Sequence, residues 1–261
     1  MLKKILLPAA FVIAAYGVLK NKVKNKLPLI GDRAPSFNAR STQGWINFPL
    51  AYRGSWVIFF SHPADFTPVC TTEFMTFESM QEEFEKLNTI LLSLSVDSVK
   101  SHLAWIKDIK EKIDYNGMSD IDINFPVIDD IEGKVAKKYG MIQPNADDTK
   151  AVRAVFIIDP ESIIRAILYY PQTTGRNIDE IKRLLVALQT SDRFKVATPA
   201  NWEAGSEVII PAPANKQEAI ERLENMDNIN CYDWFLCFKD LPKSKINETL
   251  IASSEEHSQC S

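Results

Sequence analysis

The stretch HPADFTPVCTTE, residues 62–73, contains a cysteine that follows two prolines and a threonine and comes shortly after the apolar run 56–60. An apolar run of strand length, then a polar turn, then helical periodicity predicts that Cys70 lies in or near the first turn of a helix. Unpaired backbone N–H groups and the positive end of the helix dipole stabilise a thiolate there. Thr67, three residues earlier, could donate a hydrogen bond to that thiolate. On residue type alone, an inert buried cysteine with Thr67 as a helix cap explains the pattern equally well.

The composition and charge of the chain exclude several classes of function. The chain has 261 residues and a formal net charge of -4. Because its acidic and basic residues are interspersed, no nucleic-acid partner is expected. Cys70, Cys231, Cys237 and Cys260 are too few and too scattered for the disulfide framework of a small secreted domain. None forms a C-x-x-C pair, so neither a zinc ribbon nor a thioredoxin-type dithiol is predicted. No metal site and no cofactor are expected.

The amino terminus differs from the rest of the chain. An uncharged apolar run at residues 5–19 follows two lysines and precedes four more. This run is a little short of the ~17–25 residues that span a bilayer. Residues 1–27 are therefore predicted to be either a membrane anchor or a cleaved signal peptide. If they form an anchor, the larger basic cluster after the run favours a main domain that faces the cytoplasm, whereas a cleaved signal would mean export.

The remaining pattern is α/β. Buried-strand patterns occur at 55–61 and 89–97, and helical periodicity occurs at 71–87 and 99–113. Next come a hairpin that turns at residues 159–162 and a helix for which Asn177 is a good N-cap. The order strand, helix, strand, helix, hairpin, helix is thioredoxin-like. We therefore predict a thioredoxin-like domain at 28–190 and, at 191–261, a loop-rich C-terminal dimerisation arm that packs on a partner.

Pro63, Thr67 and Cys70 form the frame P-x-x-x-T-x-x-C, which resembles the active-site signature of the peroxiredoxins, in particular of their one-cysteine subgroup. The similarity continues through FPVIDD, VRAVFIID, YYPQTTGRN and VATPANW, over roughly residues 28–240. The resemblance implies a thiol peroxidase in which Cys70 attacks the O–O bond of hydrogen peroxide or an organic hydroperoxide and becomes a sulfenic acid. Arg153, a charge within an apolar strand, matches the arginine that stabilises the thiolate and the departing oxygen in this family.

Three further residues match supporting positions of the family. Glu73 and Arg176 correspond to residues that orient the arginine network, and His62 corresponds to a residue that is expected to contact the pocket. A lone histidine is more often structural, so a catalytic need for His62 does not follow from this match.

The phospholipase activity of some one-cysteine members is not expected in this chain. Ser55 fits the position of their serine, but Pro49 and Glu161 stand where the histidine and the aspartate would be. The glycines that flank the serine in G-x-S-x-G are also missing.

The segment CYDWFLCF resembles the C-x-D-W-W-F-C arm of prokaryotic members that behave as two-cysteine enzymes. It implies that Cys237 resolves the sulfenic acid of the neighbouring subunit, that Cys231 assists, and that a thioredoxin-like donor reduces the resulting disulfide. The family also implies homodimers that can assemble into decamers, as pentamers of dimers. Cys260, in a polar tail, is expected to be incidental. Two alternatives stay open: a one-cysteine peroxidase recycled by a small thiol or a glutathione partner, and a non-enzymatic peroxide sensor or holdase.

Overall fold

The computed structural model describes residues 27–147, 149–224 and 229–258. The apolar run at 5–19 and Cys260 lie outside the described residues, so the expectations of an anchor, a signal peptide and an incidental cysteine remain predictions. Within the described ranges, no helix combines the length and the apolar character needed to cross a membrane.

A seven-stranded mixed sheet forms the centre of the molecule. Its strands are β1 (Phe37–Ser41), β2 (Gly44–Phe48), β3 (Trp56–Ser61), β4 (Thr89–Ser95), β5 (Val127–Asp129), β6 (Arg153–Ile158) and β7 (Ile164–Tyr170). They lie in the order β2-β1-β5-β4-β3-β6-β7. Strands β3, β4 and β5 are parallel, whereas β6 runs antiparallel to β3 and forms the predicted hairpin with β7. The predicted thioredoxin-like α/β class is confirmed.

Strand β3 lies inside the sheet between β4 and β6, and all six of its residues are buried. Successive side chains of a strand point to opposite faces, so β3 contributes to two separate cores. Ile58 and Phe60 join the core beneath the helices that carry the site, and Phe60 stacks on Phe77 with 4.3 Å between ring centroids. Val57 and Phe59 join the core on the opposite face. Both faces of the sheet are therefore filled, which holds the end of β3 firmly.

The helices are α1 (Pro68–Ser79), α2 (Gln81–Lys86), α3 (Val99–Lys112), α4 (Lys134–Lys138), α5 (Ile178–Phe194), α6 (Lys216–Glu224) and α7 (Lys243–Ser258), together with a 3-10 turn at Leu50–Tyr52. The predicted cap of α5 is confirmed, since Asn177 Oδ1 accepts the backbone N–H of Glu180 at 3.1 Å. Ser98 caps α3 in the same way through the N–H of Ser101, at 3.2 Å.

The single helix predicted at 71–87 is wrong, because the structure has two helices that meet at Met80. Met80 leaves helical geometry (φ -106°, ψ 3°), and its N–H bonds the carbonyls of Phe77 and Glu78. Phe77 and Phe84 nevertheless pack in one core, with 6.5 Å between their ring centroids. The apolar period therefore continues across the break, which explains why periodicity did not reveal it.

The C-terminal arm contains its own sheet, in the order β8-β10-β9, formed by β8 (Val208–Ile210), β9 (Asn230–Asp233) and β10 (Leu236–Lys239). Its first part packs on its own chain, since Trp202 is buried in a small core with Ala187 of α5 and Ile246 of α7. The hairpin between β9 and β10 is different, because the aromatic side chains of Tyr232, Trp234 and Phe235 are exposed there.

Candidate active site

A short loop connects β3 to α1 and leads directly to Cys70. Pro63 is buried at its start, and Phe66 adopts a left-handed backbone (φ 54°) that turns the chain. Thr67 is extended at the N-cap position (φ -112°, ψ 143°). Cys70 is the third residue of α1, wholly buried and not in a disulfide. It lies in the first helical turn, as the sequence predicts, where backbone N–H groups have no intrahelical partner.

The hydroxyl of Thr67 lies near this turn but donates to the carbonyl of Ala64, at 2.8 Å. It makes no side-chain cap hydrogen bond to the helix. Because its proton is directed to Ala64, the oxygen lone pairs remain available as acceptors for a bound hydroxyl group.

Arg153, at the start of β6, is 2 % exposed and reaches the cysteine directly. Its Nη1 donates to Cys70 Sγ at 3.3 Å and to Glu73 Oε2 at 2.7 Å. Its Nε and Nη2 both donate to the backbone carbonyl of Gln172, at 2.9 and 2.7 Å. A planar guanidinium held on two edges has little freedom to turn, so one N–H stays directed at the sulfur.

Glu73 lies one turn after Cys70 and joins the two arginines. Besides Arg153, it accepts hydrogen bonds from the backbone N–H, Nε and Nη2 of Arg176, at 2.8, 3.0 and 2.7 Å. Burial opposes ionisation of Glu73, but the guanidinium groups of Arg176 and Arg153 outweigh it and hold the pKa of this carboxyl below its ordinary value. Glu73 is therefore a carboxylate at neutral pH.

Arg176 is fixed equally well. Its Nη1 donates to the carbonyls of Ser61 and Ala154 at 3.1 and 3.2 Å, and its guanidinium lies over the rings of Phe60 and Phe77. The sequence-predicted residues Arg153, Arg176, Glu73 and Cys70 thus form one buried cluster. Two guanidinium groups and one carboxylate leave a net charge of one positive unit beside Cys70 Sγ.

His62 belongs to a different cluster. Its Nε2 lies 3.0 Å from Asp65 Oδ1 and its Nδ1 lies 3.2 Å from Ser93 Oγ, so neither ring nitrogen is directed at Cys70. Asp65 also lies 2.9 Å from Nδ1 of His102, a residue of α3. Burial lowers the pKa of His62 despite its contact with Asp65. Burial opposes ionisation of Asp65, but its hydrogen bonds to His102 and His62 outweigh it and keep its pKa well below the usual range.

The two arm cysteines are paired with each other. Cys231 of β9 and Cys237 of β10 face each other across the hairpin, with Cα atoms 4.0 Å apart, and form a disulfide. Cys237 is buried and Cys231 is partly exposed. The family resemblance implied that Cys237 pairs with Cys70 of a neighbouring subunit, and it implied no disulfide between Cys231 and Cys237. The turn at Trp234 and Phe235, which sets the hairpin register, brings these two sulfurs together.

Ser55 precedes β3, as expected, and its hydroxyl donates to Asn88 Oδ1 at 2.9 Å. Sequence reasoning missed Asp65, His102 and Gln172. The first two share a signal that could have found them, because His102 and His62 are two of only three histidines in the chain. Gln172 acts through its backbone carbonyl, which no residue type reveals.

A cysteine at the start of a helix on a thioredoxin-like sheet, beside a buried arginine, defines a thiol-dependent oxidoreductase. The AhpC/TSA family matches residues 30–167, and the C-terminal domain of 1-Cys peroxiredoxin matches residues 187–225. The chain belongs to the peroxiredoxin family and is a thiol peroxidase.

Individual relatives agree with this assignment. A peroxiredoxin of Methanosarcina mazei is 63% identical over 214 residues, which cover 82% of this chain and 98% of the relative. The solved structure of a yeast mitochondrial 1-Cys peroxiredoxin has a TM-score of 0.71 and 40% identity, and the match covers 82% of this chain and 100% of the yeast chain. A cysteine-to-serine mutant of peroxiredoxin 6 from Arenicola marina has a TM-score of 0.71 and 34% identity, with 82% and 99% covered.

Proposed function

We propose that Cys70 is the peroxidatic cysteine and reduces hydrogen peroxide and organic hydroperoxides. The thiolate sulfur attacks one oxygen of the peroxide, the S–O bond forms as the O–O bond breaks, and the other oxygen leaves as water or an alcohol after protonation. The observation that carries this proposal is the uncompensated positive charge of Arg153, Arg176 and Glu73. A thiolate at Cys70 brings the net charge of this buried cluster to zero, which a neutral thiol does not.

The remaining groups of the site have matching roles. Arg153 stabilises first the thiolate and then the oxygen that leaves, because its N–H groups are already oriented and need no rearrangement. The N–H groups of the first turn of α1 donate hydrogen bonds to the peroxide, and the Thr67 oxygen accepts a hydrogen bond from the peroxide hydroxyl group. Pro63 forms a rigid wall of the loop. Glu73 and Arg176 act only through Arg153, which they hold in place.

We infer that the sulfenic acid of Cys70 is resolved by Cys237 of a partner subunit. The Cys237 thiol attacks the sulfenic sulfur, so a disulfide forms and water leaves. The Cys231 thiol then attacks Cys237, which releases Cys70 as a thiol and leaves the disulfide Cys231–Cys237. A thioredoxin-like donor reduces that disulfide with two electrons. The pairing of the two arm cysteines across one hairpin supports the second step.

The same cycle is the basis for the assembly and location that we propose. Residues 28–190 are the peroxidase domain, 191–261 are the arm, and 1–27 precede them as a leader or anchor. The exposed aromatic residues of the β9–β10 hairpin support contact with a partner in a homodimer, which can assemble further into a decamer. A thioredoxin-like donor requires a compartment that keeps thiols reduced, which favours the cytoplasm.

A one-cysteine cycle is the second candidate. In it, a small thiol or a glutathione partner reduces the sulfenic acid of Cys70 directly, and the arm disulfide is structural. Two observations favour it: the match of the arm to the 1-Cys C-terminal domain, and the yeast relative, whose thiol resolution is described as proceeding via glutathione/thioredoxin systems.

Peroxide turnover with a thioredoxin system and non-reducing gels of peroxide-treated protein test both cycles. We expect Cys70→Ser to abolish turnover, Cys237→Ser to abolish the covalent dimer, and Cys231→Ser to accumulate that dimer. If Cys237→Ser still forms the dimer, Cys237 is not the resolving residue. If Cys237→Ser turns over fully with glutathione, the one-cysteine cycle is correct. Undiminished turnover in Cys70→Ser refutes the assignment of Cys70.

A further inference from the structure

Three buried side chains at the catalytic loop, residues 62–67 between β3 and α1, hold metal-binding atoms close together. His62 and Asp65 lie on the loop that leads to Cys70, and His102 lies on α3. Their ligand atoms are all within 4.8 Å of one another. The side chains of both histidines are 0% exposed and that of Asp65 is 1% exposed. Asp65 Oδ1 lies 3.0 Å from both His62 Nε2 and His102 Nδ1.

The far nitrogens of both rings have partners that suit metal ligation. His102 Nε2 lies 3.2 Å from the carbonyl of Ile128, which can only accept, so this nitrogen carries a hydrogen. His62 Nδ1 lies 3.2 Å from Ser93 Oγ, which can accept as well as donate. In neutral rings, both nitrogens that face Asp65 can therefore present lone pairs. Metal-binding histidines have this arrangement, in which the outer N–H donates to a carbonyl or another oxygen.

The charge around the cluster also favours a cation. Asp97 Oδ2 accepts the backbone N–H of Asp65 at 3.0 Å, so a second carboxylate lies beside the first. Two carboxylates and two neutral imidazoles carry two negative charges, which a divalent cation balances.

We propose that His62 Nε2, the Asp65 carboxylate and His102 Nδ1 bind one divalent transition-metal ion of the zinc class. Two imidazoles and a carboxylate suit such an ion, whereas Mg²⁺ and Ca²⁺ prefer oxygen ligands alone. On binding, the ion takes the place of the hydrogen that lies between His102 Nδ1 and Asp65, and this hydrogen leaves to solvent as a proton. Because two ligands belong to the catalytic loop and the third belongs to α3, the bound ion crosslinks this loop to the helix. This role is separate from the peroxidase chemistry at Cys70.

Titration with Co²⁺ and Zn²⁺ tests the site. The parent protein is the full chain with Cys70→Ser and Cys260→Ser and with the arm disulfide kept oxidised, so no free thiol can bind the metal. We expect one Co²⁺ to bind per chain, with the visible d–d absorption that Co²⁺ shows with nitrogen and oxygen ligands. We expect Zn²⁺ to displace the bound Co²⁺. Since the parent lacks Cys70, failure of this experiment leaves the proposed peroxidase cycle untouched.

Variants separate this site from adventitious binding. We expect His102→Gln and Asp65→Asn to weaken Zn²⁺ binding by at least about 100-fold, because loss of an outer-shell partner alone typically costs ~10–100-fold. Ser93→Ala keeps all three ligands and is expected to weaken binding ~10–100-fold, so it gives a result even if a ligand variant misfolds. His257→Gln, which changes the third histidine of the chain, is expected to bind as the parent does. Absence of stoichiometric binding by the parent, or unchanged binding by folded His102→Gln and Ser93→Ala, overturns the proposal.

Discussion

Replacing Glu73 with glutamine removes the carboxylate that joins Arg153 and Arg176. The wild-type carboxylate accepts one hydrogen bond from Arg153 and three from Arg176, and its side chain is 3% exposed. Glutamine can offer one oxygen, and its amide N–H groups would face guanidinium donors. The substitution therefore leaves two buried guanidinium groups with one negative charge fewer.

The expected effects follow from this contact set. Breaking a buried ion pair by removing one partner costs ~3–5 kcal/mol, and burial of Glu73 leaves little solvent screening to reduce that cost. This is a large share of the ~5–15 kcal/mol that stabilises a domain. Loss of a preorganised donor typically slows catalysis ~10²–10³-fold. We expect a slowing of about 10²-fold, because the Gln172 carbonyl still holds the other edge of Arg153.

Urea unfolding and stopped-flow peroxide reduction measure the two effects. Glu180→Gln is the matched control, because Glu180 also pairs with an arginine, Arg183, but at a partly exposed position on α5, where an ion pair contributes ~0–1 kcal/mol. We expect that control to keep wild-type peroxide kinetics. If Glu73→Gln is as stable as Glu180→Gln and reacts with peroxide at the wild-type rate, the carboxylate does not hold the arginine cluster together.

Three further results are expected. Because the pKa of Glu73 is lowered in the folded state, its contribution to stability is complete well above the unfolded pKa of ~4.3 and is lost as pH falls through the folded pKa. The difference in unfolding free energy between wild type and Glu73→Gln, measured in urea, is therefore expected to shrink below about pH 4. A difference that stays constant with pH would contradict this. Asn177→Ala removes the cap of α5 and is expected to cost ~1 kcal/mol of unfolding free energy, with Asn177→Asp near wild type. Trp202→Ala removes the largest side chain of the arm core and is expected to cost ~3–5 kcal/mol of stability. In amide hydrogen exchange, we expect the arm to lose protection earlier than β3 does. Equal loss of protection in both would show that the arm has no core of its own.

The sequence predicts the parts of the fold that depend on local pattern. Three such predictions are confirmed: the buried run at β3, the hairpin of β6 and β7, and the Asn177 cap. Each of them depends on residues that are close together in the sequence. The break at Met80 was not predictable in this way, since both helices present apolar side chains to the same core.

Contacts at the site between residues far apart in the sequence were harder to predict. Arg153 stood out as a charge within an apolar strand, and Glu73 and Arg176 were assigned through the family resemblance. The contacts among the three depend on how β6 and the segment after β7 pack on α1. His62 points away from Cys70 because Asp65 and Ser93 attract its ring nitrogens, and Ser93 lies 31 positions away on β4. The arm disulfide depends on the register of β9 against β10, which the spacing of Cys231 and Cys237 alone does not define.

We propose that a thiolate at Cys70, stabilised by the buried arginine cluster, is the group that peroxide oxidises. The most direct measurement is intact and peptide mass spectrometry of Cys231→Ser/Cys237→Ser protein after one equivalent of hydrogen peroxide, with a sulfenic-acid trap present. We expect a single trapped adduct on Cys70, and we expect Arg153→Met to slow its formation by about 10²–10³-fold. An adduct on Cys260 instead, or Cys70 labelling at an unchanged rate in Arg153→Met, would contradict it.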